Sequence, residues 1–200
     1  MLRAARAVFA ERGYVHATLE EVAERAEFGK GTLYNYFPGG KEELLRAVLD
    51  GLFRDLMGLM RPFTEPELPD EALAAPGAFR AALHGYFERL ARYFYAHPDL
   101  FHLLMREARR LRYDAEEESR AYLHGQLRRS GSTLSAFLKR AAAAGAIKPL
   151  PRRPVAHALL VCATNHLAVQ EMTGWPRDAR RGARKTADFL TELLVDGLGA

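Results

Sequence analysis

Five residues between Lys30 and Tyr36 carry side chains suited to a polyanion. Leu33 and Phe37 stand at an i, i+4 spacing, which points both inward if the run is helical. Lys30, Thr32, Tyr34, Asn35 and Tyr36 then share the remaining arc. An asparagine amide bonds an adenine edge bidentately, a lysine reaches guanine or phosphate, and hydroxyls reach phosphate oxygens. A helix lying in the major groove of duplex DNA makes these demands. Gly31 has no side chain, so the backbone there can come close to DNA or to a neighbouring helix. Beyond Pro38, Gly39 and Gly40, Lys41 stands at the start of another expected helix, where a cation beside free backbone amides makes a phosphate site. Glu42 and Glu43 favour the helix dipole at that point but repel DNA.

Catalytic constellations are harder to assemble. His97 and His102 stand five apart and His157 and His166 nine apart; neither is the i, i+4 helical pair with a carboxylate that binds zinc. The run Gly29-Lys30-Gly31-Thr32 lacks the earlier glycine and the preceding strand of a phosphate-binding loop. No serine occupies a G-x-S-x-G turn. Cys162 is the single cysteine, which excludes a disulfide framework and a multi-cysteine zinc site within one chain. Its apolar surroundings suit a small core residue. No enzyme, no metal and no resident cofactor is expected.

The elements that would position the groove-facing residues are short helices. Thr18 and Glu21, three apart, form a capping box that opens a helix over 19–25. Val22, Ala23 and Ala26 give it a small apolar face, and Phe28 supplies a bulky turn residue to pack the next helix across it. Gly29 serves as the N-cap of a helix over 30–36, a weaker choice than Ser or Thr. A first helix is expected over 2–12, so the pattern is a helix-turn-helix within a three-helix unit. The following helix, from Lys41 to about Met60, has no internal proline and reads as the mechanical link to a second domain.

These residues carry a family resemblance. Gly31, Thr32, Leu33, Tyr34, Tyr36 and Phe37, followed by Lys41, Glu42, Glu43 and Leu44, resemble the G-T-L-Y-x-Y/H-F run and K-E-E-L of the TetR family of ligand-responsive transcriptional regulators. Ala5, Phe9, Gly13 and Tyr14 look like that family's first helix, so the resemblance covers residues 2 to about 46. It implies DNA contact by Thr18, Lys30, Thr32, Tyr34, Tyr36 and Lys41, mostly through phosphates, with Asn35 reading a base and Gly31 allowing close approach. Three departures stand out: Glu27 where the family has a turn glycine, Gly29 for a capping Ser or Thr, and one extra residue between Phe37 and Lys41. A left-handed Glu27 would cost about 1 kcal/mol relative to glycine. No basic arm precedes the first helix.

After the link, Phe79, Leu83, Tyr86, Phe87, Leu90 and Phe94 follow a three/four rhythm that Leu100, Phe101, Leu104, Met105 and Leu111 continue beyond Pro98. Polar tips at Tyr86, Tyr93, His102, Arg106 and Tyr122 interrupt this apolar face. By the resemblance the region encloses an effector, with Tyr86, Tyr93, Phe101, His102, Met105, Arg106, Tyr122, Asn165 and His166 as candidate ligand residues. The basic run Arg106, Arg109, Arg110 and Arg112 is either a solvated face or the seat of an anionic head group. An apolar cavity with cations at its mouth suits an acyl thioester such as acyl-CoA, or an aromatic carboxylate. Asn165 and His166, in an expected helix from Val155 to Thr173, are open to three readings: lining a pocket, fixing dimer register, or, more commonly for such a histidine, burial with a bond to a carbonyl. That helix and a last one over Thr186 to Leu198, with Phe189, Leu190, Leu193 and Leu194, are expected to form a four-helix dimer interface.

Composition sets the outer bounds. Of 200 residues, 48% are hydrophobic and 27% charged, which describes an ordered globular chain. Apolar runs such as 158–163 fall far short of the roughly 18 to 20 residues of a membrane span. The charged stretch directly after Met1 gives no signal segment, so a cytoplasmic location is expected. The net charge is +4, yet residues 1–50 hold seven Lys/Arg against eight Asp/Glu, so nucleic-acid binding depends on where particular cations sit. Arginine outnumbers lysine 24 to 5, a bias that bears only on stability.

The chain is therefore expected to be all-α, with about nine helices. Residues 1–46 form a three-helix helix-turn-helix DNA-binding domain and 47–200 a larger ligand-binding and dimerisation domain. The implied function is a homodimeric regulator, a repressor released from a palindromic double-stranded operator by a small hydrophobic, anionic effector. The alternative is a helical protein-interaction scaffold that binds no DNA.

Overall fold

The computed structural model describes residues 1–64, 67–113 and 117–196, with side chains at all of these except 111–113, 118 and 119. Ten α-helices and no strand occur among the described residues: α1 (Leu2–His16), α2 (Leu19–Arg25), α3 (Lys30–Tyr36), α4 (Gly40–Leu59), α5 (Asp70–Leu73), α6 (Ala78–Ala96), α7 (Pro98–Tyr113), α8 (Glu117–Ala143), α9 (Arg152–Thr173) and α10 (Ala179–Thr191). A 3-10 turn, Arg61–Phe63, follows α4 and a π-turn, Glu192–Asp196, follows α10. The helix beyond the expected nine is α5, a single turn inside the proline-rich stretch after α4. The last helix opens at Ala179 because Asp178 caps it, its carboxylate accepting the Arg181 amide at 3.0 Å. The expected apolar position Leu198, and the side chains of Leu111 and Arg112, lie outside what is described. Among those described, no helix is long and apolar enough to cross a membrane.

Packing divides the chain into two compact units, Met1–Asp55 with His97–His124, and Leu56–Ala96 with Gly125–Ala200. Both α4 and α8 carry residues of each. This cut by packing differs from the boundary expected at residue 46, because α7 belongs with α1 in the first unit.

In the first unit, α1 buries Ala4, Ala5, Val8 and Phe9, the i, i+3, i+4 stripe of an amphipathic helix. Its regular turns end at Gly13, where φ is 72° and ψ 166°, a backbone conformation that costs glycine little and other residues more. Two ties hold α7 along α1. The Arg6 guanidinium forks onto the Asp99 carboxylate, with Nη2 to Oδ1 at 2.9 Å, and Arg106 donates to the carbonyls of Ala10 and Arg12 at 3.3 and 3.4 Å. Arg106 thus bonds carbonyls of the turn beside the break at Gly13.

In the second unit, Phe63, Phe79, Tyr86 and Phe137 stack at centroid distances of 4.5 to 5.5 Å. Arg140 of α8 reaches back to the Asp70 carboxylate at 2.7 Å and to the carbonyls of Phe63 and Leu68, fixing the irregular segment before α6. A partly buried polar cluster joins α6, α9 and α10. Tyr95 Oη donates to Gln170 and lies 2.8 Å from Thr186 Oγ1, and Gln170 Nε2 donates to Thr186 Oγ1 at 3.0 Å.

Candidate nucleic-acid interface

Local chemistry at α2 fixes where the candidate interface begins. Thr18 Oγ1 accepts the Glu21 amide at 3.2 Å and Glu21 Oε2 accepts the Thr18 amide at 3.0 Å, so both arms of the capping box are made. Leu19, Val22 and Ala23 are buried while Thr18 and Glu20 face outward. At the far end Glu27 has φ 57°. Its amide bonds the Glu24 carbonyl at 3.1 Å and the Phe28 amide bonds the Ala23 carbonyl at 3.0 Å. Those two bonds make the Schellman closure that normally places glycine at the left-handed residue.

The chain then turns directly into α3. Gly29 is extended at ψ 143° and caps without a side chain, its carbonyl accepting the Thr32 amide at 3.0 Å. Leu33 is fully buried, whereas Tyr34 and Tyr36 are 43% and 69% exposed. Lys30, Gly31 and Asn35 are exposed as well, and Thr32 is half-buried. A Cβ placed at Gly31 would meet nothing within 4 Å, so this glycine serves no approach between helices of its own chain. The expected inward packing is weaker at the edges. Phe28 is 46% exposed and Phe37 half-buried, whereas Leu33 between them is fully buried.

The cations are tied to their own chain. Lys30 pairs with Glu20 across the turn; this hydrogen-bonded contact holds the lysine above its ordinary pKa and the glutamate below. Lys41 donates to the carbonyls of Val15 and Ala17 at 3.2 and 3.1 Å and lies 4.7 Å from the Tyr14 ring centroid. It therefore locks the start of α4 to the turn between α1 and α2. Arg110 of α7 lies 4.1 Å from the centroid of the same ring, and its Nε bonds the buried Glu107 at 2.5 Å. Burial and a bond to Glu42 push the Tyr14 phenol up to about 12. Gly39 donates to Glu43 Oε2 at 2.7 Å, so Glu43 closes the first turn of α4. The sequence did not mark Tyr14 as the ring that Lys41 and Arg110 share, because Arg110 is far from it along the chain.

The nine candidate ligand residues are divided between the units. Phe101, His102, Met105, Arg106 and Tyr122 lie in the first. There Phe101 is buried, His102 is exposed, Met105 is half-buried, and Arg106 is engaged with α1. Tyr122 donates to Asp50 at 2.7 Å and packs edge-on to Phe53. Tyr86, Tyr93, Asn165 and His166 lie in the second. Tyr86 is buried in the aromatic stack, which drives its phenol pKa upward, Tyr93 is half-buried against Phe94, and Asn165 is exposed. His166 stacks on Phe189, accepts from Gln170 Nε2 at 2.9 Å, and lines a shallow hollow of about 310 Å³. A cavity of about 780 Å³ in this unit is lined by none of the nine. No cluster of three or more His, Cys, Asp or Glu among the described residues is placed to hold a metal ion.

Residues 1–48 match the family described as "Bacterial regulatory proteins, tetR family". An HTH-type transcriptional repressor of Mycobacterium tuberculosis is 33% identical over 146 residues, covering 71% of this chain and 74% of that protein. Among solved structures, a fatty acid metabolism regulator of Clostridium perfringens aligns with TM-score 0.75 at 21% identity, over 100% of this chain and 98% of its own. The regulator FadR of Bacillus subtilis, in complex with stearoyl-CoA, aligns with TM-score 0.72 at 22% identity, over 98% and 96%. At these identities the two structures speak for the fold.

Proposed function

The chain belongs to the TetR family of bacterial transcriptional regulators, and on that footing we propose that it is a homodimeric repressor that grips a near-palindromic operator through α3 and lets go when a small effector binds its larger domain. The observation that carries the DNA-reading part is the outward row on α3. Lys30, Gly31, Tyr34, Asn35 and Tyr36 all face solvent on a helix whose buried residue is Leu33. Asn35 would read a base edge, and Thr18, Thr32, Tyr34 and Tyr36 would position the helix on phosphates. Lys30 would exchange Glu20 for a phosphate, and Lys41 would act by holding α4 against the α1–α2 turn as well as by its charge.

Dimerisation is supported by an apolar stripe that the fold leaves exposed. Val161 and Val169 flank Asn165 at four-residue steps on α9, Met172 next to them is 86% exposed, and Phe189 and Leu193 project from α10 and the following turn. Large apolar residues left exposed together on two helices suit an interaction site, and two antiparallel copies would close a four-helix contact. In this reading residues 1–46 read DNA and residues 47–200 bind the effector and dimerise.

The effector is proposed to be hydrophobic and anionic, an acyl-CoA or an aromatic carboxylate. The stearoyl-CoA bound by the Bacillus subtilis relative of the fold favours the first. Release would need the effector to bind the DNA-incompetent state more tightly, with α4 tilting and the two reading heads losing their half-site spacing.

The test is a duplex selected from a random library by the protein itself, then measured by fluorescence anisotropy at fixed salt. Tyr34→Ala and Asn35→Ala are expected to weaken binding about tenfold each with circular dichroism unchanged. Failure of the wild-type protein to select any duplex, or undiminished binding by both variants, would overturn the reading.

A further inference from the structure

The cavity of about 780 Å³ in the second unit opens between the α5–α6 turn, the start of α6, the loop from α8 to α9, and the π-turn Glu192–Asp196. Phe79, Leu83, Leu138, Leu159 and Val195 line it, and each is itself buried. Such a lining suits an apolar body. Two opposite charges, Arg80 and Asp196, share the rim, and Lys148 adds a further cation to the lining.

Arg80 and Asp196 meet in a fork. Arg80 Nε donates to Asp196 Oδ1 at 2.9 Å and Nη2 donates to Oδ2 at 3.0 Å. This is the planar two-bond geometry in which guanidinium recognises a carboxylate. The hydrogen-bonded contact holds the aspartate below its ordinary pKa and the arginine above. Both side chains are nearly half exposed, so the pair adds little to stability. Asp196 reaches the fork from a π-turn, a departure from regular helix often found at functional sites. A second carboxylate arriving on an apolar body would replace one exposed ion pair by another, and would add the burial of that body against the cavity wall.

We propose that this cavity binds an apolar monocarboxylate, its carboxylate displacing Asp196 from Arg80 and its hydrocarbon lying against Leu83, Leu138 and Leu159. The site is separate from the nine candidate effector residues and goes beyond the regulatory reading, because it requires neither DNA binding nor release. Exchange at Arg80 would free the turn that carries Asp196 from α6.

Titration calorimetry of the full chain with decanoate, and with 1-decanol as its uncharged counterpart, tests the assignment. Decanoate is expected to bind one per chain. Arg80→Ala should weaken it about tenfold or more, the size of a charge-assisted hydrogen-bond pair. Asp196→Asn should tighten it, because the internal competitor for the fork has gone. The opposite signs separate recognition from general apolar adsorption, and Arg80→Gln, which keeps most of the stem, replaces Arg80→Ala should that variant melt early. Equal decanoate affinity in wild type and the Arg80 variant, weaker binding by Asp196→Asn, or 1-decanol binding as tightly as decanoate would each overturn the proposal. A protein that binds decanoate in this pattern but selects no duplex would refute the repressor reading and leave this site standing.

Discussion

Replacing Gly31 with alanine adds one methyl group to the second residue of α3, at a place where two consequences have opposite sign. Within the folded chain nothing lies within 4 Å of the new carbon and the backbone is helical. The substitution should therefore recover part of the roughly 0.5–1 kcal/mol by which glycine disfavours a helix. In a first turn the lower end applies, about 0.5 kcal/mol, which for a domain of this size raises the melting temperature by about 1–2 °C. On DNA the same methyl stands proud by about 1.5 Å, one carbon–carbon bond, beside the exposed Lys30, Tyr34 and Asn35. Hydrogen bonds weaken steeply over that distance. Loss of one or two contacts at about 1–1.5 kcal/mol each reduces affinity roughly 10- to 100-fold. Anisotropy with the selected duplex and a thermal melt of the same preparation read both effects. A variant that melts slightly higher and binds DNA unchanged would refute the close approach of this end of α3. A variant that melts lower would refute the open space around Gly31.

Three other outcomes are expected. Glu27→Gly should raise the urea midpoint at unchanged m-value: relief of the left-handed strain, about 1 kcal/mol, exceeds the added freedom of the unfolded chain. An unchanged or lowered midpoint would contradict the φ of 57°. Gly13→Ala should do the reverse, costing about 1–2 kcal/mol through its positive φ, because the new carbon also collides with the Arg106 guanidinium that holds the end of α1; a melt equal to wild type would refute it. Burial lowers the His166 pKa below its ordinary 6.5, so the unfolded chain binds the extra proton first. The stability from a neutral His166 is thus complete above about pH 6.5 and is lost as pH falls below it. The wild-type urea midpoint should drop more than that of His166→Gln between about pH 7.5 and 5.5, and parallel drops would remove His166 as the cause.

The features legible in the sequence are those whose partners lie within one turn. Thr18 and Glu21 announce α2 because both arms of a capping box are written three residues apart, and the break in α1 is written in Gly13. Glu27 was readable as a strained left-handed residue only through comparison with a family that uses glycine there, since a glutamate alone carries no such signal. Arg106 was read as a candidate head-group ligand from the basic run around it. Its acceptors are the Ala10 and Arg12 carbonyls, more than 90 residues away, and a backbone acceptor has no residue type to recognise. The same holds for Lys41 and the carbonyls of Val15 and Ala17, and for the fork between Arg80 and Asp196, separated by 116 residues. Phe28 packs less completely than its bulk suggests: it is 46% exposed, and how far a turn residue is covered depends on the chain path on both sides of it, which residue type does not state.

The charge arrangement constrains how such a protein can hold DNA. Residues 1–50 carry one more acidic than basic side chain, and Arg12, Arg25 and Lys30 are paired with Glu21, Glu11 and Glu20 in the free structure. A phosphate must then compete with an existing carboxylate for each of these cations, so the gain per contact is a difference between two ion pairs rather than the whole of one. Counterion release from the phosphates would still favour the exchange, but glutamates left beside the duplex would offset part of it. On the proposed reading, affinity would draw more heavily on hydroxyl and amide contacts by Thr18, Thr32, Tyr34, Asn35 and Tyr36, which depend on geometry and little on salt. Geometry is what the ties from Lys41, Arg106 and Arg110 enforce on α1, α4 and α7. On the proposed reading a head of this kind is weak when alone and selective when placed, and pairing two copies through the exposed apolar residues of α9 would recover affinity that its own acidic residues take away.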